Sequence, residues 1–476
     1  MKKINSSARY GSYSLIVTAV VLVILIFLNL AVNMLPESYT SITSEKTDLY
    51  KISKTSKAYL KKLENDITVY IVQVDGEGSE YDLMIKKYVE LYVELSDRLT
   101  VKYIDPEIKP GFLPSYNKDE EFTPEELSSQ TTYLVVESEK RARIITFFDI
   151  VKTTEEGVPY SYEIENCLLS AIDYVTLDVL PIMKIYYTNT HKETSLDEGF
   201  LYYADLENIK LAALDIEKDG EIPSDAKTII IYSPKTDFSV KEIEALKKFT
   251  ERGGQIILST DFNTNLSDRV LKNLYGFVSE YYGMSYKDVM VLEGDTKHVY
   301  TQPNYIFATM TDKVPSEIIT NQQGYVLFAF AHAIDIAKEL PDGVTVDTLF
   351  TTTSQGYAKK EYDKDFTYNK EEGDISGTFT LGAISTRNVG DTASKLWWFS
   401  SSVSINTNIN PFVAIYAMAK SVDKTDAVSA AAVLITYDRV DISDGAANLW
   451  SWIIIAIVPA AILGYGIYIR VTRIRR

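Results

Sequence analysis

Residues 222–261 read IPSDAKTIIIYSPKTDFSVKEIEALKKFTERGGQIILSTD, and this stretch decides the fold. Thr228–Ser233 is an almost continuous apolar run, as expected of a strand that is buried on both faces of a parallel sheet. Gln255–Thr260 is a second run of the same kind. The stretch therefore predicts two neighbouring strands of a parallel sheet, joined by the segment between them.

The connecting segment has the start and stop signals of a helix. Ser239 and Glu242 have the spacing of a capping box, in which each side chain bonds the other residue's backbone N–H. Gly253 and Gly254 follow the apolar face and end the helix. Strand, helix and strand with short links are typical of a doubly wound α/β domain.

The same alternation begins further upstream. Met183–Thr188 predicts a strand, a helix follows around Leu196–Glu207, and Ile209–Ile216 predicts another strand. These elements define a larger domain of the α/β class over residues 181–425, with a doubly wound, flavodoxin-like sheet. Beyond residue 280 the expected elements are less regular: strands at Tyr325–Ala331, Thr378–Ile384 and Lys395–Ser400, a helix at Asn410–Ser421, and an exposed loop over 355–376.

Residues 35–180 predict a smaller α/β domain of thioredoxin-like size. Its expected strands are Ile67–Val72, Val101–Ile104, Thr132–Glu137 and Arg143–Phe148, with an amphipathic helix over residues 80–98. The domain has no Cys-x-x-Cys pair, which excludes thioredoxin-type redox chemistry for it. Cys167 is the only cysteine in the chain, and its apolar helical setting predicts a buried, unreactive thiol.

Charge is unevenly distributed along the 476 residues, whose formal net charge is −18. Residues 1–11 carry +3 and residues 470–476 carry +4, which leaves −25 for the rest of the chain. An acidic protein lacks the basic surface that a duplex-DNA binder needs, so nucleic acid is not an expected partner.

Two uncharged apolar runs lie next to the basic ends. Residues 12–34 are long enough to cross a bilayer, and residues 449–469 are flanked by Trp450, Trp452 and the terminal arginines. A secretory signal is the alternative for the first run, although its apolar part would be shorter. A buried helix is the alternative for the second. We expect each of the two apolar runs to form a membrane-spanning helix.

The positive-inside rule then sets the expected location in the cell membrane. Both termini would be cytoplasmic tips, and residues 35–448 would lie outside the cytoplasm as a two-pass protein. Residues 426–448 would link the larger domain to the second membrane helix.

Common catalytic motifs are absent from the sequence. It contains no phosphate-binding loop, no Gly-x-Ser-x-Gly elbow and no His-Glu-x-x-His zinc helix. The three histidines, His191, His298 and His332, are far apart, which disfavours a zinc centre. No metal or other cofactor is expected.

His191, Glu193 and Asp261 are the candidate ligand-binding residues. The first two follow the strand Met183–Thr188, and Asp261 follows Gln255–Thr260. Ligands of doubly wound folds bind at the carboxyl ends of such strands, so the three side chains would line one small polar cleft. The alternative is that they only cap loops and form hydrogen bonds at the strand ends.

One of two acidic segments resembles an ion site superficially. Residues 363–374 have the spacing of a calcium loop, but Tyr368 stands where the loop needs glycine and Asp374 where it needs glutamate. A solvated loop is the favoured interpretation. The carboxylates of residues 119–126 are interpreted in the same way, as an exposed face.

The order of these pieces resembles the GldG family, the auxiliary proteins of ABC-2-type transporters. The resemblance is carried by ISKTSKAYLKKLENDITVYIV, LTVKYIDPEIKP, YEIENCLLSAIDYV leading into MKIYYTNTHKE, and residues 222–261, between two terminal apolar runs. Such proteins tend to carry a Gly-His-Gly-Glu-like turn, in which this chain retains His191 and Glu193 but has Thr190 and Lys192 for the glycines. The loss of both glycines weakens the case for close backbone approach to a ligand.

The resemblance implies a glutamine-amidotransferase-like central sheet, without the nucleophilic cysteine of those enzymes. It implies a non-enzymatic, membrane-anchored, substrate-binding-like subunit that works with an ABC-2-type permease and a cytoplasmic ABC ATPase, in two copies if the transporter has two half-units. A cell-envelope hydrolase acting around His191 is the alternative function, and a sensor or scaffold is a third.

Overall fold

The computed structural model describes residues 50–74, 79–117, 122–123, 127, 132–154, 157–178, 183–262, 271–315, 318–319, 325–360, 366–390, 392–422, 433–434 and 472. Residues 50–433 form one compact unit.

Ten α-helices lie within the described residues. They are α1 (Lys54–Leu60), α2 (Glu80–Val93), α3 (Phe112–Tyr116), α4 (Phe147–Ile150), α5 (Ile164–Thr176), α6 (Glu198–Leu206), α7 (Ile216–Asp219), α8 (Val240–Glu251), α9 (Lys272–Tyr282) and α10 (Pro411–Ser421). Short 3-10 helices cover Thr296–His298 and Ser402–Ile405.

The described strands are β1 (Ile67–Val72), β2 (Leu99–Ile104), β3 (Tyr133–Glu137), β4 (Ala142–Ile145), β5 (Val151–Thr153), β6 (Pro159–Tyr162), β7 (Met183–Thr188), β8 (Ile209–Leu214), β9 (Thr228–Tyr232), β10 (Gln255–Ser259), β11 (Met284–Leu292), β12 (Tyr305–Phe307), β13 (Thr309–Met310), β14 (Leu327–Ala329), β15 (His332–Ile336), β16 (Val344–Thr351), β17 (Tyr357–Lys359), β18 (Ile375–Ser376), β19 (Thr380–Val389), β20 (Thr392–Phe399) and β21 (Val433–Leu434).

The predicted fold class, which placed a membrane-spanning helix at each end, is wrong for the described structure. Over the described residues, none of the helices is both long and apolar enough to cross a membrane. The longest is α2, with 14 residues, whereas a bilayer needs about 20. The predicted two-pass location, with residues 35–448 outside the cytoplasm, is corrected on the same finding. The two predicted spans, 12–34 and 449–469, lie outside the described residues, as do the charged residues of both tips.

The first sheet has four strands in the order β2-β1-β3-β4. β1 pairs with β2 in parallel, while β3 pairs antiparallel with both β1 and β4. The predicted order of strand, helix, strand and strand is therefore present. The fourth strand ends earlier than predicted, at Ile145, because Thr146 and Asp149 form a capping box that starts α4.

The second sheet has twelve strands, and the prediction that it is doubly wound and parallel is correct only for one part. β8, β7, β9, β10 and β20 are parallel neighbours in that order. β19 is followed by a tight turn at Gly390, whose φ is +57°, and pairs antiparallel with β20. The remaining strands of the sheet are antiparallel. β20 thus joins a parallel half to an antiparallel half.

Residues 222–261 fold as predicted. All five residues of β9 and all five of β10 are buried, and their side chains alternate between two apolar clusters, one on each face of the sheet. Ser239 caps α8 in a complete capping box with Glu242. Gly253 has a φ of +85° just after the helix, a conformation that favours glycine.

The predictions for Cys167 and for the segment 355–376 have different outcomes. Cys167 is buried in α5, and burial raises the pKa of its thiol, as expected of an unreactive side chain. The expected exposed loop at 355–376 is partly wrong, since its residues Tyr357–Lys359 are the buried strand β17. Residues 361–365 of that segment and all the acidic residues of 119–126 lie outside the described residues.

Candidate functional site

The candidate residues lie where the order of the parallel strands reverses. From β7 the chain passes through α6 to β8 on one side, and then returns to β9 on the other side of β7. In open α/β sheets a crevice forms at the carboxyl ends of the strands at such a point, and ligands bind there. His191 follows β7 by three residues, and Ser233 directly follows β9. The predicted position of His191 and Glu193 beyond the carboxyl end of β7 is therefore confirmed, whereas their role in ligand binding stays a prediction.

His191 is held between two carboxylates. Its Nδ1 lies 3.4 Å from Glu193 Oε1, and its Nε2 lies 3.2 Å from Glu242 Oε1. The three side chains are only 6%, 3% and 2% exposed, respectively. The ring of Phe238 stacks on the imidazole with the centroids 3.8 Å apart and the planes 7° from parallel. Both ring nitrogens and one ring face are therefore occupied by the protein.

The backbone around His191 is tied to the loop after β9. The carbonyl oxygen of His191 accepts hydrogen bonds from the N–H groups of Lys235 and Thr236, at 2.8 and 3.1 Å. Its own N–H donates to Glu193 Oε2 at 2.6 Å. Lys192 has a φ of +52°, so the loop takes a left-handed turn without the glycine found in the related pattern. The absence of glycine leaves this bend in place but adds a side chain to it.

Opposing effects set the pKa values of His191 and Glu193. Burial by itself would lower the pKa of His191, but the carboxylates of Glu193 and Glu242 outweigh burial and raise that pKa. Burial would raise the pKa of Glu193, yet hydrogen bonds, first from His191 and then from Thr188, lower it. The geometry therefore favours a charged imidazolium facing charged carboxylates.

Asp261 belongs to a second network rather than to the His191 cluster. Its Oδ2 accepts a hydrogen bond from Ser233 Oγ and lies 3.3 Å from Lys235 Nζ. Its Oδ1 accepts the backbone N–H of Ser402 at 2.7 Å. Within the described residues its side chain forms these contacts and not a hydrogen bond to His191 or Glu193. Lys235 contacts both networks, one through its backbone and one through its side chain.

Ser233 is a strained member of this second network. It is fully buried and has a φ of +54°, which is uncommon for a residue other than glycine. Its hydroxyl accepts a hydrogen bond from Lys235 Nζ at 2.5 Å and donates to Asp261. Because Lys235 and Asp261 satisfy this hydroxyl and no solvent reaches it, Ser233 is held as a link between β9 and β10.

Sequence reasoning missed four contributors to this edge: Ser233, Lys235, Phe238 and Glu242. The sequence did not identify Glu242 as a partner of His191, because a capping box already accounts for a glutamate at that spacing. Lys235 and Phe238 lie in a loop whose local pattern gives no indication of their partners.

The other two histidines take part in separate local networks. His332 is fully buried, and burial lowers its pKa to about 4, so the ring is neutral at pH 7. Its Nε2 accepts from the hydroxyl of Thr260 at 2.7 Å. His298 Nδ1 lies 2.8 Å from the carbonyl oxygen of Phe307. His191, His298 and His332 thus belong to three separate networks.

In the part of the chain that the structure describes, no group of three or more His, Cys, Asp or Glu side chains is arranged so that it could hold a metal ion. In the segment that resembles a calcium loop, Lys359 Nζ lies 2.6 Å from Glu371 and 3.0 Å from Asp374. Those carboxylates are thus paired with an ammonium group. Asp363 and Asp365 lie outside the described residues.

Comparisons with known proteins are sparse. No family model and no curated protein matches the chain. Three similar solved structures are the N-terminal domain of mmIFT52 (17% identity, TM-score 0.35, 50% of this chain and 96% of that one), the exo-β-1,4-mannosidase Op5Man5 from Opitutaceae bacterium strain TAV5 (12%, 0.25, 72% and 48%), and a ThuA-like protein from Parabacteroides merdae ATCC 43184 (12%, 0.29, 55% and 94%).

These likenesses are too distant to carry an argument about fold or function. The expected description of the chain as a transmembrane protein is corrected to that of a mixed α/β protein, because no helix among the described residues is long and apolar enough to cross a membrane. The resemblance to the GldG family stays a prediction.

Proposed function

We propose that the chain is a non-enzymatic, substrate-binding-like auxiliary subunit of an ABC-type transport system. The observation that carries the non-enzymatic part is the burial of His191 between two carboxylates at the carboxyl ends of the parallel strands. An acid–base catalyst must come within hydrogen-bond reach of the proton that it transfers. Both ring nitrogens of His191 already face carboxylates, and the residue is 5% exposed.

The second network does not supply an accessible serine nucleophile. Nucleophilic catalysis by serine needs a hydroxyl that substrate can reach and a base that can accept its proton. Ser233 is fully buried, and Lys235 donates a hydrogen bond to it rather than accepting one. The alternative function, a hydrolase acting around His191, therefore has less support than a binding role.

The transport setting is supported by the resemblance of the sequence to the GldG family. On this proposal a permease and a cytoplasmic ABC ATPase are the partners, and this chain contributes recognition without hydrolysing nucleotide. The sequence has no phosphate-binding loop, which is consistent with that division of labour.

Co-purification tests the proposal directly. The tagged full-length chain is expressed in its own host at native level, the cells are solubilised in mild detergent, and co-purifying proteins are identified by mass spectrometry. We expect a multi-span permease and an ABC ATPase, both missing from a parallel purification of an unrelated acidic protein with the same tag. Recovery of neither partner would overturn the transport assignment.

A complementation assay tests the absence of catalysis. The double variant His191→Gln with Glu242→Gln removes the imidazolium and one facing carboxylate together, which leaves fewer unpaired buried charges than the single change at His191. We expect this variant to rescue a deletion strain as the parent chain does. A folded, normally expressed double variant that fails to rescue would favour the hydrolase.

A further inference from the structure

A cavity of about 410 Å³ lies in the unit formed by residues 50–433. It is lined by residues of β4, which is the last strand of the four-stranded sheet, and of β8, which is the last strand of the twelve-stranded sheet. Its volume is within the range of about 300–1,000 Å³ that is typical of small-molecule sites.

This cavity lies at the opposite edge of the parallel strands from His191. It is lined by Ile209, Lys210 and Leu211, the first residues of β8, and Ile209 pairs with the first residue of β7. His191 follows the last residue of β7. The cavity is thus a concave site at the end of these strands that lies opposite to His191.

One wall of the cavity is cationic and is held firmly. Arg143 Nη1 donates to Asn208 Oδ1 at 2.9 Å and to Ser170 Oγ at 3.2 Å, and its guanidinium lies 5.6 Å from the ring centroid of Tyr174. Asn208 is buried and has a φ of +57°, and its own amide donates to Asp173 at 2.7 Å. The guanidinium is therefore positioned by the fold rather than by a ligand.

The remaining partner of Arg143 is a carboxylate that a ligand could displace. Nη2 lies 2.8 Å from Asp205 Oδ2, but the Asp205 side chain is 73% exposed. Exposed ion pairs of this kind contribute little to stability, so Asp205 can move away at small cost. The contact with Asp205 shows that a carboxylate fits against this side of the Arg143 guanidinium.

A second cation has no such partner. Lys210 is exposed at the cavity and forms no ion pair with any residue in the described ranges. Its ammonium group and the Arg143 guanidinium are the cations of the lining, whereas Asp205 is the only acidic residue among the described residues that line it. The apolar wall of the cavity is formed by Ile144, Ile209 and Leu211.

We propose that this cavity binds a small organic carboxylate with an apolar body, with the carboxylate between Lys210 and Arg143 and the body against the apolar wall. The proposal rests on the binding function proposed above and names its ligand class. A guanidinium and an ammonium group in one lining favour a carboxylate, and the apolar wall favours a ligand that is more than a bare anion.

Three probes of similar shape test the ligand class. Benzoate, benzyl alcohol and benzylamine are titrated separately into the purified full-length chain, and binding is followed by ligand-observed NMR. We expect benzoate to bind about tenfold more tightly than benzyl alcohol, and benzylamine to bind most weakly. Equal or tighter binding of benzylamine, or no binding of benzoate at millimolar concentration, would overturn the proposal.

Matched lysine variants test the site. Lys210→Gln should weaken benzoate about tenfold and leave benzyl alcohol unchanged. Lys227→Gln is the control, because Lys227 is also exposed and lies at the same edge of the sheet, next to β9, but outside the cavity lining. Identical benzoate affinity in the two variants would contradict the assignment to this cavity.

A third variant tests the role of Arg143 without removing it. Asp205→Asn takes away the carboxylate that competes for the guanidinium, so benzoate should bind several-fold more tightly. Weaker binding would show that Arg143 does not receive the ligand. If these titrations fail but a permease and an ATPase co-purify, the cavity proposal is rejected and the proposed function stands. If benzoate binds as expected but neither partner co-purifies, the transport function is rejected and the cavity proposal stands.

Discussion

His191 and Glu242 lie 51 positions apart in the sequence, and the imidazole Nε2 is 3.2 Å from a carboxylate oxygen of the glutamate. The contact joins the loop after β7 to the first turn of α8. With Glu193 on the other ring nitrogen, it places one cation between two carboxylates in a site with almost no exposure to solvent.

Removing the cation from this site should destabilise the fold. In His191→Gln two buried carboxylates lose their counter-ion, and breaking a buried pair in this way costs about 3–5 kcal/mol. We therefore expect the free energy of unfolding, measured in urea, to fall by about 3–5 kcal/mol. Glu244→Gln is the control, because Glu244 lies on the same helix with a 56% exposed side chain, and should change stability by under about 0.5 kcal/mol.

A double-mutant cycle separates the ion pair from simple loss of packing. Glu242→Gln alone also loses part of the capping box, yet it should cost less in the His191→Gln background than in the parent chain, because the pair is already broken there. Strict additivity of the two changes would show that His191 and Glu242 do not interact.

The stabilisation by His191 should depend on pH with a defined sign. Since its folded pKa is raised above the unfolded value of about 6.5, its contribution is complete below that pH and is lost as pH rises through the folded pKa. Glu193 has a lowered folded pKa, so its contribution is complete above its unfolded value and is lost as pH falls through the folded pKa. The difference in unfolding free energy between parent and His191→Gln should peak at about pH 4.5–6.5.

His332 should contribute to the pH dependence with the opposite sign. Its folded pKa of about 4 lies below the unfolded value, so the unfolded chain takes up a proton first as the solution is acidified. A variant His332→Asn should therefore flatten the acid side of the stability profile, from about pH 6.5 down to 4. An unchanged acid limb would contradict the neutral, buried state of this ring.

Thr260 should be sensitive to loss of its hydroxyl, which serves two buried partners. It accepts the indole N–H of Trp398 at 2.8 Å and donates to His332 Nε2 at 2.7 Å. Thr260→Val keeps the shape but leaves both partners unsatisfied, for an expected cost of about 2–4 kcal/mol by chemical denaturation. Thr260→Ser keeps the hydroxyl and should cost clearly less, and equal losses for the two variants would reject this explanation.

Two glycines should respond to alanine in opposite directions. A Cβ at Gly254 would lie 2.5 Å from the ring of Phe249, so Gly254→Ala should destabilise by about 1–3 kcal/mol through overpacking. Gly276 lies within α9, where an added methyl group would meet open space, so Gly276→Ala should stabilise by about 0.5–1 kcal/mol. Thermal unfolding of both variants checks the contrast, and a stabilised Gly254→Ala would show that the Phe249 ring moves aside.

Local signals made much of the fold predictable. The strands β9 and β10 and the capped helix α8 between them are encoded by apolar runs, a capping box and a pair of glycines within residues 222–261. The antiparallel half of the sheet was not predictable in the same way. β16 pairs with β19 from more than 30 positions away at its far end, and β11 meets β15 with a shift in register, so their partners do not follow from local periodicity.

The candidate site was predictable in position but not in character. The strand ends identified His191, Glu193 and Asp261 as groups at the carboxyl edge of the sheet. The sequence could not show that Glu242 and Phe238 close over His191, or that Lys235 and Ser233 take Asp261 into a different network. Those pairings depend on how the loop after β9 crosses the end of β7, which is a property of the folded chain.

Glu242 has one oxygen on the N–H of Ser239 at 2.8 Å and the other beside His191. An aspartate would be one methylene too short to span both partners, and a glutamine could serve only the helix start without supplying charge. Substitutions at positions 191, 239 and 242 should therefore occur together or not at all. In a library randomised at all three, viable sequences should keep the parental trio or replace it as a set, and single exchanges should be rare.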